Sequence, residues 1–245
     1  MADVPSFDRF FIGGQWVAPS SSETFSVVSP FTEEVIATAP AAQEADIDAA
    51  VAAARAAVEG DWGRTTGVER AEVLRRLYDV FIMKSNELAE LITAEMGAPL
   101  LFSHLGQIGA TGMVLDYFAN LTKEYAFEEV RAGFLGPALV RKEPVGVAAG
   151  IIPWNVPLFI TMLKMGPAIA SGSAIVLKPA PETPISALVL AQIVEEAGVP
   201  AGVVNVVPAD RGPGEHLVTH PGVDKVSFTG STAAGRKIGA LCGEN

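Results

Sequence analysis

The sequence predicts an α/β fold, a parallel sheet with helices on its faces, and three observations carry that expectation. From residue 145 onward, short β-rich apolar runs alternate with segments of helical periodicity. The segments between the runs are long enough to cross the sheet and return a parallel neighbour, which a tight hairpin cannot do. Hydrophobic residues make up 49% of the 245 residues and charged residues 18%, a balance that suits a packed core and not a disordered chain.

Taken in order, residues 10–39 read as short strands and turns. FFIGGQWV holds a Gly13-Gly14 turn, and TFSVVSP and EEVIATAP each end in proline. A helix is predicted over 46–58, with Ile47, Val51, Ala54 and Val58 on one face and Asp46 and Asp48 in its first turn, where negative charge suits the helix dipole. Leu74, Leu77, Tyr78, Phe81 and Ile82 repeat the pattern, and further helices are predicted over 86–95 and 101–120. Residues 123–142, broken by glycines and a proline and charged at both ends, read as an extended excursion of hairpin type. Beyond them VGVAAGII and SAIVLKP are strands around a helix at 158–171. A helix at 185–197, closed by Gly198, leads to the strand VVNVV. A short helix at 213–219 leads to the strand KVSFTG, and a last helix covers 232–242. Ligands of such sheets bind at the carboxyl ends of the strands.

Charge and composition exclude several functions. The 17 basic and 28 acidic residues leave a net charge of −11, the opposite of the basic stripe that nucleic acid requires. The most apolar stretch, Val145 to Leu177, is interrupted by Pro153, Asn155, Pro157, Lys164 and Pro167 and makes a poor membrane span. The N-terminus has no basic flank and no apolar core of a signal peptide, and the single cysteine, Cys242, forbids an internal disulfide. A reducing, cytoplasmic setting is therefore expected. The mean hydropathy of +0.35 implies a large core or apolar surface covered by something else.

Three constellations carry candidate chemistry. Lys178 ends the strand SAIVLK, where an ammonium could donate to ribose hydroxyls or phosphate oxygens; a lysine marking the strand's exit into water is the plainer reading. The run from Phe228 to Gly235 reads as strand, glycine turn and helix. Gly230 permits a close backbone approach, and Ser231 or Thr232 caps a helix whose free N–H groups face an anion. It lacks the G-x-G-x-x-G fingerprint, and an ordinary capped turn explains it as well. The stretch GPGEHL at 212–217, which contains Gly214, resembles that fingerprint only superficially, with Leu217 in place of the third glycine. Asn155, in Pro153-Trp154-Asn155, offers an amide to a developing oxyanion or satisfies its own turn. No metal site is expected: His216 and His220 are spaced i, i+4, but Glu215 precedes the first histidine, so His-Glu-x-x-His is not formed. Cys242 has no base near it in sequence that would make it a nucleophile.

Together, FIGGQWV, ATAPAAQEADIDAAVAAARAAV, KEPVGVAAGIIPWNVPLFITMLKMGPAIASGSAIVLKPAPETP, AGVPAGVVNVVP and VDKVSFTGSTAAGRKI resemble the aldehyde dehydrogenase superfamily over essentially the whole chain. The resemblance implies a Rossmann-like domain that binds NAD or NADP. By position, Asn155 matches the asparagine that holds the oxyanion, and Lys178 the lysine that binds the adenosine ribose. Gly230 and Ser231 match the pyrophosphate-binding pair, and Gly235 closes the same motif. Ile151, Ile152, Pro153 and Trp154 match the strand end that lines the cofactor cleft, and Gly214 and Phe228 complete the candidate cofactor set. The resemblance also implies that 123–142 bridges subunits of a homo-oligomer. Residues 1–122 are then N-terminal strands and helices, and 145–245 the dinucleotide-binding core of a single NAD(P)-binding domain.

Three departures qualify what the resemblance implies. The family often has an acidic residue three positions after the ribose lysine, favouring NAD. Here Pro181 stands there and Glu182 follows, which leaves NAD and NADP both open. Val156 and Leu163 replace aromatic residues common around the family's substrate tunnel and imply an aliphatic, roomier one. The family's general base and catalytic cysteine belong beyond Asn245, so the chain is expected to bind cofactor, with aldehyde oxidation confined to a full-length enzyme. A non-catalytic dinucleotide-binding module, or one half of a split enzyme, is the alternative. A short-chain dehydrogenase is excluded, because four residues past Tyr78, Tyr117 and Tyr125 stand Ile82, Leu121 and Glu129, not the lysine of Tyr-x-x-x-Lys.

Overall fold

The computed structural model describes residues 4–244. Four short strands come first: β1 (Phe10–Ile12), β2 (Gln15–Val17), β3 (Thr24–Val28) and β4 (Val35–Pro40). The helices α1 (Glu44–Glu59), α2 (Gly67–Met83), α3 (Ser85–Met96), α4 (Leu100–Phe102) and α5 (Ala110–Glu124) follow, and a π-helical stretch, Ser103–Gly109, joins the last two. The excursion is the hairpin β5 (Glu128–Gly133) and β6 (Gly136–Arg141), paired in register from Glu128↔Arg141 to Gly133↔Gly136. The alternating half runs β7 (Val147–Ile151), α6 (Pro157–Ser171), β8 (Ala174–Lys178), α7 (Ile185–Glu196), β9 (Val204–Val206), α8 (Arg211–Thr219), β10 (Lys225–Phe228) and α9 (Thr232–Glu244).

The main sheet has the order β10-β7-β8-β9-β1-β2. Strands β10, β7, β8 and β9 are mutually parallel, as expected, but β1 joins β9 antiparallel and β2 joins β1 antiparallel. The sheet is therefore mixed, because the N-terminal hairpin extends it. Gly13 and Gly14 both take positive φ (63° and 77°), the two-residue turn whose twist matches paired strands. The Gly13 N–H donates to Oδ1 of the buried Asn205 at 2.8 Å, and Asn205 Nδ2 donates to Gly202 O at 2.8 Å. All three side chains of β1 are buried, as suits an interior strand covered on both faces.

Alternate side chains of each strand feed two cores. Phe10, Ile12, Val147, Ala149, Ile151 and Val176 pack with α1 and α8 on one face. Phe11, Ala148, Ile175 and Leu177 pack with α2, α3, α5, α6 and α7 on the other. Strands β7 and β8 are buried at every position, the pattern of central parallel strands. The β10 side is different: no described strand pairs with its outer edge, and none of the described residues of α9 is buried.

Candidate functional site

Strand order reverses at β7. The chain runs from β7 through β8 to β9 on one side, then returns to lay β10 on the other. In open α/β sheets the crevice at the carboxyl ends of two such strands is where ligands lie. Register aligns the candidate residues across that edge: Ile151 is paired with Phe228 on β10 and with Lys178 on β8.

Lys178 does not simply exit into water. It is buried, and its Nζ donates to Ala209 O at 2.7 Å and Pro179 O at 3.1 Å. An ammonium has three protons, so one remains for a ligand. Burial lowers its pKa to about 8, against the carboxylates of Asp210 and Glu182, which favour the charged form. Gly214, in the first turn of α8, lies against its stem: a Cβ there would come 3.1 Å from Lys178 Cδ. The superficial glycine pattern at 212–217 thus contains one glycine with a steric reason. Pro181 is half-buried and Glu182 exposed, just beyond the lysine.

The second element is the turn after β10. Gly230 is exposed, yet a Cβ there would stand 2.6 Å from the tip of the Phe228 ring, so any side chain would have to push that ring aside. A Cβ at Gly235, one turn into α9, would stand 3.4 Å from the same ring. Ser231 caps the helix: its Oγ accepts from Ala234 N at 3.2 Å. An open hollow is lined by Phe228, Thr229, Gly230, Ser231, Gly235 and Arg236, with a helix N-terminus and a guanidinium as its cationic features.

The loop between β7 and α6 completes the crevice. Ile152 is buried and its N–H donates to Lys178 O at 3.0 Å, which ties the loop to the end of β8. Pro153 is half-buried, and Trp154 and Asn155 are exposed. Trp154 O accepts a 3.4 Å hydrogen bond from Thr183 Oγ1. The Asn155 amide has no hydrogen-bond partner among the described residues, so its own turn does not use it.

Two further groups escaped the sequence reading. Lys164, on α6, donates to Ser227 Oγ at 3.1 Å and Thr229 Oγ1 at 2.9 Å, beneath the β10 end of the crevice, and burial lowers its pKa. Its signal was a lone lysine in an apolar stretch. Glu95, fully buried on α3, accepts from Ile185 N at 2.6 Å and Ser186 N at 3.2 Å, so it caps α7 from another helix. The residues present fit a dinucleotide: two glycines clear the backbone, a capped helix start suits a pyrophosphate, and a buried lysine keeps one free proton.

A sequence profile of the aldehyde dehydrogenase family matches residues 16–245. Geranial dehydrogenase of Castellaniella defragrans is 43% identical over 96% of this chain and 49% of its own length. Phenylacetaldehyde dehydrogenase of Pseudomonas fluorescens is 41% identical over 97% of this chain and 49% of its own. Among solved structures, the Mycobacterium tuberculosis aldehyde dehydrogenase complexed with NAD+ superposes with a TM-score of 0.95 at 40% identity, covering 98% of this chain and 50% of that one. Aldehyde dehydrogenase C of Pseudomonas syringae, complexed with NAD+ and octanal, gives 0.92 at 39% identity over 97% and 48%. The chain belongs to the aldehyde dehydrogenase family, and it spans about half the length of the relatives it matches. None of its described helices is long and apolar enough to cross a membrane.

Proposed function

We propose that this chain is the cofactor-binding half of an NAD(P)-dependent aldehyde dehydrogenase and that the dinucleotide lies across the β7–β10 switch point. The observation that carries this reading is the aligned row Phe228, Ile151 and Lys178, flanked by the Ser231-capped helix and the Gly214 contact. Lys178 supplies its remaining proton to the ribose, Gly230 and Ser231 receive the pyrophosphate, and Ile151, Ile152, Pro153 and Trp154 form the wall. When bound, the nicotinamide supplies the hydride acceptor for aldehyde oxidation to a carboxylic acid. Asn155 holds the oxyanion through its unengaged amide. The substrate belongs to the full-length enzyme, in which Val156 and Leu163 give an aliphatic tunnel.

NAD is the better fit of the two cofactors. The carboxylates of Glu182 and Asp210 both act on Lys178, and a 2′-phosphate would meet them, whereas a 2′-hydroxyl would not be repelled. We place the protein in the cytoplasm, as the lone Cys242 is compatible with a reducing compartment. The 123–142 hairpin is the surface for homo-oligomerisation, since Val130, Phe134, Leu135 and Leu139 are all exposed on it.

Calorimetric titration of the chain with NAD+ and NADP+ tests the reading. Saturable binding, tighter for NAD+ and abolished by Lys178→Met, is expected. A folded chain that binds neither would overturn it.

A further inference from the structure

We propose that Asp48, His216 and His220 form a binding site for one divalent transition-metal ion of the zinc(II) class, which staples α1 to α8 on the core face opposite α6 and α7. The sequence argues against a metal because Glu215 precedes His216, so that His-Glu-x-x-His is not formed, and it shows no third ligand beside the two histidines. The fold brings one from 168 residues away: His216 Nε2 lies 2.6 Å from Asp48 Oδ1, and His220 Nε2 lies 3.4 Å from the same oxygen.

The three candidate ligand atoms all fall within 4.8 Å of one another. A tetrahedral ion with bonds of about 2.0–2.2 Å needs donors roughly 3.3 Å apart, so small side-chain adjustments suffice. The imidazole rings stand at 86° with centroids 5.6 Å apart, already splayed as two ligands of one ion would be. The side chains of His216 and His220 are 29% and 18% exposed and that of Asp48 is 56% exposed, so ion entry is open and a fourth position stays with water. His220 caps the C-terminus of α8, the end of a helix dipole that favours positive charge. The neighbouring Glu215 is already paired with Lys237, and Arg55 with Asp224, so these charges are neutralised locally.

One contact opposes this arrangement and also shows how it is relieved. Gly222 N–H donates to His220 Nδ1 at 2.9 Å, which leaves the ring proton on Nε2, facing Asp48. A metal on Nε2 moves that proton to Nδ1 through solvent, and Nδ1–H then needs an acceptor. His220–Val223 is a turn closed by Val223 N to His220 O at 2.9 Å, with Pro221 and Gly222 at its centre. Pro-Gly at those positions is the preferred pair of the alternative turn, in which the central peptide is rotated and the glycine takes positive φ. Gly222 φ now lies outside that region. Rotating the Pro221–Gly222 peptide turns the N–H away and presents Pro221 C=O to Nδ1–H, the backbone-carbonyl partner that metal-bound histidines favour. The turn's closing bond is kept.

The test is titration of the metal-free chain, carrying Cys242→Ser to remove the exposed thiol, with Zn2+ in competition with a chromophoric chelator. The expected result is one saturable ion per chain, weakened more than about tenfold by each of Asp48→Asn, His216→Gln and His220→Gln and unchanged by His104→Gln. Zn2+ should raise Tm only where the three ligands are intact. Measuring Tm without metal separates a folding defect in any one variant from loss of a ligand. Absence of a one-to-one saturable phase, or an affinity that survives all three substitutions, overturns the proposal.

Discussion

Gly214 lies directly on the stem of Lys178: a Cβ there would stand 3.1 Å from Lys178 Cδ, so the stem would have to give way by a few tenths of an ångström. The lysine is held by two carbonyls, Pro179 O and Ala209 O, and has little freedom to yield. Gly214→Ala should therefore displace the ammonium and weaken NAD+ binding about tenfold, or about 1.4 kcal/mol. Calorimetry checks this, with an unchanged affinity counting against the assigned role of Lys178.

Lys178 also sets a pH limit. Its pKa is lowered to about 8 by burial, so its charge is lost as pH rises through that value. Affinity for NAD+ should fall above pH 8, while Lys178→Met should bind weakly at all pH values. The unliganded chain behaves in the opposite sense. Between 8 and the ordinary 10.5 the unfolded chain binds the extra proton, so this residue makes stability rise with pH in that window.

Glu95 predicts a second pH dependence, with the other sign. Desolvation raises its pKa from 4.5 to about 7, although three backbone and side-chain hydrogen bonds favour its charged form. Between those values the folded chain binds the extra proton, so stability should fall as pH rises from 4.5 to 7 and level off above. Glu95→Gln, which keeps an acceptor for Ile185 N, should flatten that slope. Glu95→Ala leaves the start of α7 uncapped and should cost about 1–3 kcal/mol at any pH. Denaturant midpoints across the pH range measure both.

Much of this architecture was legible because it is local. The strands and helices from residue 145 onward announce themselves by periodicity, and Lys178, Gly230 and Ser231 sit at element ends that a sequence reader can place. What escaped depended on distant partners. The antiparallel joining of β1 to β9 unites residues nearly two hundred positions apart and is pinned by one asparagine, Asn205, that looks ordinary in VVNVV. Lys164 finds its hydroxyls 63 and 65 residues downstream, and Asp48 read as a helix-start acid before it was seen between two histidines. The predicted helix at 101–120 exists, but its widening over Ser103–Gly109 depends on packing that periodicity does not express.

Asn205 gives a direct test of the mixed sheet. It is fully buried and bonds Gly13 N, Gly202 O and Ile175 O. Asn205→Ala leaves those groups unpaired and should cost about 2–3 kcal/mol, with faster hydrogen exchange at the Gly13 amide. Unchanged exchange there would mean that the hairpin is held by something else.

At the tip of the β5–β6 hairpin, Phe134 and Leu135 are 103% and 97% exposed, more than a lone chain in water favours. Replacing both by serine should weaken self-association roughly tenfold or more, seen by sedimentation, and leave NAD+ affinity unchanged. A parent chain that is monomeric at every concentration would remove the hairpin's assigned role.

If this chain by itself forms the cofactor cradle, NAD+ should perturb the amides around the β7–β10 crevice. In amide NMR shift mapping during an NAD+ titration, saturable shifts are expected at Ile152, Gly214, Gly230, Ser231 and Ala234. A well-dispersed spectrum in which those amides stay still, or in which the shifts gather elsewhere, would contradict a cradle formed by this chain alone.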